Sequence, residues 1–482
     1  MTRFPAFPRS TRAVLSVACS AALFWFGNDL HPWWPLMWFA PLPTLLFAAG
    51  SASWKQAALA AFAGLFLGSL AMWPYFRVMG APQGWVAVYT LVSTVFAGAV
   101  LLFRARLRGG APWGALLLFP AAMVSCEYLL SFTPGGSAGS LANTQLDFLP
   151  FLQLASVTGP YGLTFGLLGF PAALAVAWYR WRVVPGQAAR VLGAAAGVLA
   201  LVLAYGAVRL SHPVGASTFK VGLVAFDTGN DTWVAPDGEA TIRLCRRYAA
   251  AAQTLAAQGA QIVVLPEKIG TDTGAPSSPV DAVFQTVADQ THVTLIVGLI
   301  HVAPGFQANQ ACVYEAGRPV QRYDKQHLLP AFEANSMRPG SSLTLLTQAG
   351  TTTGIAICKD LDHPDPARKY GRAGAGLLLV PAWDFGVDRW WHGHIAAMRG
   401  VENGFSVVRA AKEGSLYASD DCGRILAEAR SDAAPFATLL VDVPTAHHAT
   451  LYSRWGDWFA WAALVIFAFQ TAKLFRKTGS TA

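Results

Sequence analysis

The sequence predicts a multi-span α-helical membrane bundle of eight helices that carries one large α/β domain. Three observations predict it. Charge is scarce: only 13% of the 482 residues are Asp, Glu, Lys or Arg and 54% are hydrophobic, where a soluble domain carries about 25% charge. The scarcity is uneven, because residues 1–210 and 455–475 are nearly all apolar while 215–445 have the mixture of a globular domain. Within that middle stretch, apolar strand-like runs alternate with helical periodicity, the pattern of α/β layers. Such a composition excludes a disordered chain, and the length excludes a small disulfide scaffold.

A membrane span needs about 20 mostly apolar residues. Eight stretches qualify: 11–27, 33–50, 56–76, 85–103, 113–133, 160–179, 190–208 and 456–474. The first resembles a signal peptide, but its apolar run is long and continues into further spans, so it reads as an uncleaved helix. Eight spans put both termini on one side. On that side lie 13 basic residues: Arg3, Arg9, Arg12, Lys55, Arg104, Arg106, Arg108, Arg180, Arg182, Arg190, Lys473, Arg476 and Lys477. The short loops opposite hold Arg77 alone. The asymmetry predicts cytoplasmic termini and an extracytoplasmic middle domain. It also accounts for the net charge of +8, so no nucleic-acid partner is implied; the middle domain has no basic face with interleaved aromatics. Glu127, inside a span, is a functional candidate by default, or else a hydrogen-bonded helix contact.

In the middle domain, 219–226, 261–266, 294–300, 353–357, 376–380 and 405–410 read as strands. Helical periodicity covers 237–258, 279–290, 363–373 and 389–403. Unbroken apolar runs such as Val263-Val264-Leu265 and Leu377-Leu378-Leu379-Val380 predict sheets covered on both faces. The six cysteines show no CxxC or metal-ligand spacing. His392 and His394 lie two apart on a helix and do not share a face, so neither a metal nor another cofactor is expected.

Strand ends are favoured places for chemistry in α/β sheets. Two strands end at Glu267 and Cys358, and a polar cluster around Lys325 follows a hairpin. Carboxylate, amine and thiol form a complete nucleophilic set: Glu267 to take the thiol proton, Lys325 to stabilise thiolate and oxyanion, Cys358 to attack a carbonyl. Taken singly, each has an ordinary reading as a solvated Glu, a surface Lys and a buried Cys.

The three segments Leu-Pro-Glu267-Lys-Ile-Gly, Tyr-Asp-Lys325-Gln-His-Leu-Leu-Pro and Gly-Ile-Ala-Ile-Cys358-Lys-Asp resemble, in order and spacing, the signature segments of the nitrilase (carbon–nitrogen hydrolase) superfamily. A fourth stretch, 376–404, resembles the superfamily's strand and the helix bearing Arg399 and Glu402-Asn403. The resemblance implies an αββα sandwich. With seven spans before the domain and one after, the whole chain is similar to the apolipoprotein N-acyltransferase family. Glu333, eight residues after Lys325, stands where that family has a further glutamate, and the resemblance implies that it belongs with Cys358, Glu267 and Lys325 among the catalytic residues. What the resemblance implies is a ping-pong transfer through a Cys358 thioester, in the cytoplasmic (inner) membrane. The acyl chain comes from a membrane phospholipid and goes to the N-terminal amine of a diacylglyceryl-cysteine lipoprotein.

The chain departs from the family in places. Cys358-Lys359-Asp360 replaces Cys-Tyr-Glu, and Ala382-Trp383-Asp384-Phe385-Gly386 shortens a longer motif. Trp233 is the residue that could stand for the tryptophan near the domain's start. Lys359 (through its backbone N–H), Asp360, Trp383, Asp384 and Trp233 are thus the candidates for the oxyanion and donor pockets. The Lys359 ammonium could favour the thiolate, contact a phosphate, or pair with Asp360 or Asp362. The altered motif keeps a second reading open: a membrane-tethered amidase, or an N-acyltransferase with another amine acceptor.

Overall fold

A computed structural model describes residues 8–181, 183–211, 217–227, 238–273, 278–330 and 332–478. The chain divides into two compact units. One holds the residues before 133, Gly139–Val208 and those from 457 on; the other holds Thr133–Ala138 and Arg209–Gly456.

The first unit is helical: α1 (Arg9–Gly27), α2 (Trp34–Met37), α3 (Leu42–Gly50), α4 (Trp54–Gly68), α5 (Trp73–Val78), α6 (Pro82–Arg108), α7 (Pro112–Leu130), α8 (Leu149–Leu152), α9 (Ala155–Thr158), α10 (Pro160–Trp181), α11 (Pro185–Ser211) and α17 (Trp458–Thr478). Seven of the eight expected spans are helices long and apolar enough to cross a membrane, among the described residues. The expected span 33–50 differs. It is two short helices, α2 and α3, separated by a turn. Pro35 and Pro43 lie in the first turns of α2 and α3, and Pro41 is the N-cap of α3. A proline is tolerated at a helix start and breaks a helix interior, so three of them divide one apolar run into two. Glu127 on α7 accepts hydrogen bonds from Ser140 Oγ (2.9 Å), Leu141 N (2.8 Å) and Thr164 Oγ1 (2.8 Å). It ties α7 to the 140–141 turn and to α10, which is the helix-contact reading.

Among the described residues the second unit has thirteen strands: β1 (Thr218–Ala225), β2 (Ile262–Val264), β3 (Thr271–Asp272), β4 (Thr294–Ala303), β5 (Phe306–Tyr314), β6 (Gln321–Asp324), β7 (Leu345–Gln348), β8 (Thr351–Ile355), β9 (Leu377–Trp383), β10 (Ser406–Lys412), β11 (Ser415–Ser419), β12 (Ile425–Arg430) and β13 (Ala437–Pro444). Its helices are α12 (Glu239–Ala257), α13 (Pro279–Thr291), α14 (Pro364–Arg372), α15 (Arg389–Asn403) and α16 (Leu451–Trp455). One sheet runs β13-β1-β2-β4-β5-β6, with β3 beside β4; the other runs β12-β11-β10-β9-β8-β7. The central neighbours are parallel in both: β1, β2 and β4 in one, β8, β9 and β10 in the other.

Two-residue periodicity sorts the side chains. Ile262 and Val264 of β2 meet Leu377 and Leu379 of β9 between the sheets. Val263 faces outward, packing with Tyr248 and Leu255 of α12 and Phe284 of α13. Leu378 and Val380 pack with Tyr370 of α14 and Ala396 of α15. The unit is therefore the expected αββα sandwich, each sheet covered by a helix pair on its outer face. The missed strands are β3, β5–β7 and β11–β13. Several of these are short or partly solvated, with too few apolar residues to read as buried runs.

Candidate active site

Glu267, Lys325 and Cys358 all follow strand ends. Pro266 ends the run from β2, and Glu267 N donates to the carbonyl of Ala382 in β9 (3.2 Å). The same turn lies against β4, Ile269 N donating to the Gly298 carbonyl (2.9 Å), and a Cβ on Gly298 would lie 2.4 Å from the Pro266 carbonyl; only glycine leaves that room. Lys325 follows β6, and its backbone N donates to the Asn309 carbonyl of β5 (2.8 Å). Cys358 opens a tight 3₁₀ turn, Cys358–Asp362, with φ of +41°. A non-glycine residue in that region is strained, and such strain gathers at functional sites.

Lys325 is fully buried, between two carboxylates. Its Nζ donates to Glu267 Oε1 (2.8 Å) and to Glu333 Oε2 and Oε1 (3.0 and 3.2 Å). Asn309 Nδ2 bridges the same two acids, at 2.5 Å to Glu267 and 2.9 Å to Glu333. Lys268 Nζ adds a second cation, 2.5 Å from Glu333 and 3.8 Å from Glu267. Burial works against the Lys325 charge, but Glu267 and Glu333 hold its ammonium above the ordinary lysine range. Burial likewise opposes Glu333, and Lys325 and Lys268 bring it down to about 2.

Cys358 is only partly accessible, and burial pushes its thiol well above the ordinary range. Glu267 and Asp384 add to the rise, while Lys325 and Arg409 oppose it. The resting group is a thiol, which needs a base to become a nucleophile. The Sγ lies 3.5 Å from the Trp383 carbonyl and 3.9 Å from Arg409 Nη2.

The structure brings together Glu267, Lys325, Glu333 and Cys358, and gives the other candidates different surroundings. Asp360 is enclosed: Gln326 N, His327 N, Ile357 N and the Tyr323 hydroxyl all donate to it, at 2.7–3.0 Å. These bonds clamp the Lys325 segment to the turn that opens at Cys358. Lys359 Nζ pairs with Asp362 (3.2 Å) and is nearly buried, so the pairing reading describes its side chain. Asp384 forms a bidentate pair with Arg409, at 2.5 and 2.7 Å. The Trp383 ring lies 3.7 Å beneath Lys412 Nζ and 5.2 Å from Lys268 Nζ. Trp233 lies outside the described residues.

Asn309, Lys268, Arg409 and Lys412 were not singled out from the sequence. Arg409 had a signal: it is a charged residue among the apolar residues Val407, Val408, Ala410 and Ala411 of β10, which a covered sheet admits only with a partner; Asn309, flanked in β5 by Gln307 and Gln310, had none. Lys412 Nζ donates to the Lys268 carbonyl (3.0 Å), and burial followed by Lys268 lowers it to about 7. Beyond the turn, His392 bridges Asp362 (3.3 Å) and Asp388 (3.2 Å). Burial disfavours its charge, yet the two aspartates raise it to about 10. The segment Thr133–Ala138 docks on this turn through Ser137, whose N and Oγ both donate to the Asp362 carbonyl (2.7 and 2.9 Å).

A buried acid–lysine–acid array beside a strained cysteine, on an αββα sandwich, defines a carbon–nitrogen hydrolase domain, and the model of that family matches residues 220–453. Residues 20–174 match the N-terminal domain of apolipoprotein N-acyltransferases. The chain is 29% identical to the apolipoprotein N-acyltransferase of Geobacter metallireducens, over 99% of this chain and 98% of that protein. For the same enzyme of Gloeobacter violaceus the identity is 24%, over 94% and 92%. Among solved structures, Nit3 of Saccharomyces cerevisiae, a nitrilase superfamily member, is similar at 20% identity and a TM-score of 0.41, over 48% of this chain and 92% of that one. The chain belongs to the apolipoprotein N-acyltransferase family, within the nitrilase superfamily.

Proposed function

We propose that this protein transfers an acyl chain from a membrane phospholipid to the N-terminal amine of a diacylglyceryl-cysteine lipoprotein, through a thioester on Cys358. The observation that carries the reading is the buried Glu267–Lys325–Glu333 array next to Cys358. Full-length similarity to enzymes named apolipoprotein N-acyltransferase supports the substrate class.

Glu267 takes the thiol proton as Sγ attacks the phospholipid ester carbonyl. Lys325 and the Lys359 backbone N–H stabilise the developing oxyanion; donors aimed at that charge are worth several kcal/mol each. The C–O bond breaks, Glu267 returns the proton to the leaving lysophospholipid oxygen, and the thioester remains. The acceptor amine then attacks, its proton passes to Glu267, and the thiolate leaves. Glu333 holds Lys325 and Lys268 in place and meets no substrate. Exclusion of bulk water protects the thioester.

The basic residues flanking the spans support cytoplasmic termini and a catalytic unit on the extracytoplasmic side, with α2 and α3 together completing one crossing. Helices long and apolar enough to cross a membrane suit a reaction in which both substrates are lipids. Mass spectrometry of lipoprotein N-termini from cells with and without this protein tests the reading. A third acyl chain that depends on the protein supports it. Unchanged N-termini, with amide hydrolysis by the purified protein, would favour the membrane-tethered amidase instead.

A further inference from the structure

Arg409 is a fully buried cation in the middle of β10, between Val408 and Ala410 of the inter-sheet core. A guanidinium taken out of water must be paired, and Asp384 pairs it: Nη1 to Oδ2 at 2.7 Å and Nη2 to Oδ1 at 2.5 Å. That fork uses one hydrogen of Nη2. The second remains, and the nucleophile sulfur lies 3.9 Å from the same nitrogen.

We propose that Arg409 is a further catalytic residue, donating through Nη2 to the Cys358 thiolate while Asp384 holds the guanidinium in position. The role in the reaction rests on the acyl-transfer reading; the contact with sulfur does not. The charge arrangement argues for it. Lys325, the other cation acting on the thiol, is shared between Glu267 and Glu333. Glu267 itself, the proton acceptor, disfavours a neighbouring thiolate. Arg409 supplies positive charge from β10, and Asp384 balances it when the sulfur is neutral.

The effect operates twice in each cycle. When Glu267 removes the thiol proton and the S–C bond forms, Arg409 stabilises the attacking thiolate. When the amine attacks the thioester and the C–S bond breaks, it receives the departing thiolate before Glu267 returns the proton. Lysine could supply charge here, but not two parallel bonds to Asp384 and a third to sulfur; the planar guanidinium can.

The test is alkylation of Cys358 by iodoacetamide, followed by peptide mass mapping of the detergent-solubilised full chain across a pH series. The reaction reports thiolate and requires no lipid. With Arg409→Met, the rate near neutral pH should fall by about tenfold or more, and with Arg409→Lys by about threefold, since each pKa unit is tenfold in thiolate. Asp384→Asn should move the profile the other way and speed alkylation, because the guanidinium loses its counter-charge. If Arg409→Met fails to fold, Arg409→Lys and Asp384→Asn carry the test. A folded Arg409→Met with the wild-type profile, or a slower Asp384→Asn, overturns the proposal. If wild-type protein alkylates as expected but forms no acyl adduct with phospholipid, the transfer reading fails and the Arg409 contact stands.

Discussion

Glu333 offers a test of the buried network that can be worked through from its contacts. Its carboxylate accepts from Lys268, Lys325, Asn309 and the Leu329 backbone N–H. Glu333→Gln keeps the shape, removes the charge and turns one acceptor into a donor facing ammonium groups. A carboxylate held near 2 instead of the ordinary 4.5 stabilises the folded state by about 3 kcal/mol at neutral pH. Leaving a buried cation short of its partner costs about 3–5 kcal/mol, so the two routes agree. For a domain of this size about 3 kcal/mol lowers the melting temperature by about 6–12 °C. The sign in pH follows from the depressed carboxylate. Its contribution is complete above the ordinary 4.5 and is lost as pH falls through about 2, so wild type and variant should converge in acid. Catalysis should suffer too. Lys325, no longer held from both sides, should stabilise the oxyanion less well, slowing acyl-enzyme formation by about 10²-fold. The assays are thermal melts in detergent and the rate at which phospholipid adds one acyl mass to Cys358. Glu333→Asp, which keeps the charge, should recover part of both losses. A Glu333→Gln protein with unchanged melting and near wild-type adduct formation would refute this account of the network.

Cys358→Ala should fold and form no acyl adduct, and Cys358→Ser should be nearly as inactive because a carboxylate base does not readily ionise a hydroxyl; an adduct on the Ala variant sinks the assignment. Glu267→Gln and Lys325→Ala should each slow transfer by at least about 10²-fold, and the double variant should lose far less than the product because both serve one transition state. His392→Gln should destabilise the protein by about 2–4 kcal/mol at neutral pH. The folded His392 is raised to about 10 from 6.5, so its contribution is complete below 6.5 and is lost as pH rises through about 10; melts of the two proteins should converge in alkali. A cysteine placed at Arg318, in an exposed turn of the catalytic unit, should react with an impermeant maleimide added outside the cytoplasmic membrane. One placed at Lys477 should react only after lysis; the reverse pattern would invert the proposed orientation.

Glu267, Lys325 and Cys358 were legible as candidates from their positions, and the resemblance of their three segments to the nitrilase signatures is what joined them into one proposed site. Glu267 and Cys358 stand just beyond buried apolar runs, and Lys325 sits in a polar cluster after a hairpin, positions that neighbouring residues define. The central strands and four of the catalytic unit's helices, α12 to α15, were legible for the same reason, since periodicity is a property of a short stretch. So was the break in the expected span at 33–50, in retrospect: Pro35, Pro41 and Pro43 act through their own backbone atoms. What the tertiary structure decided is which partner each buried charge takes. Lys359 could have faced a thiolate, a phosphate or an acid, and it pairs with Asp362. Asp360 and Asp384 looked like pocket residues, and they are taken up by backbone amides, a tyrosine hydroxyl and Arg409. Asn309 joins Glu267 to Glu333 only because β5 lies beside both β4 and β6. A buried charge must find a counter-charge or donors within a few ångströms, and which groups lie that close depends on strand order and register across residues 267 to 409. No local pattern in the sequence encodes those distances.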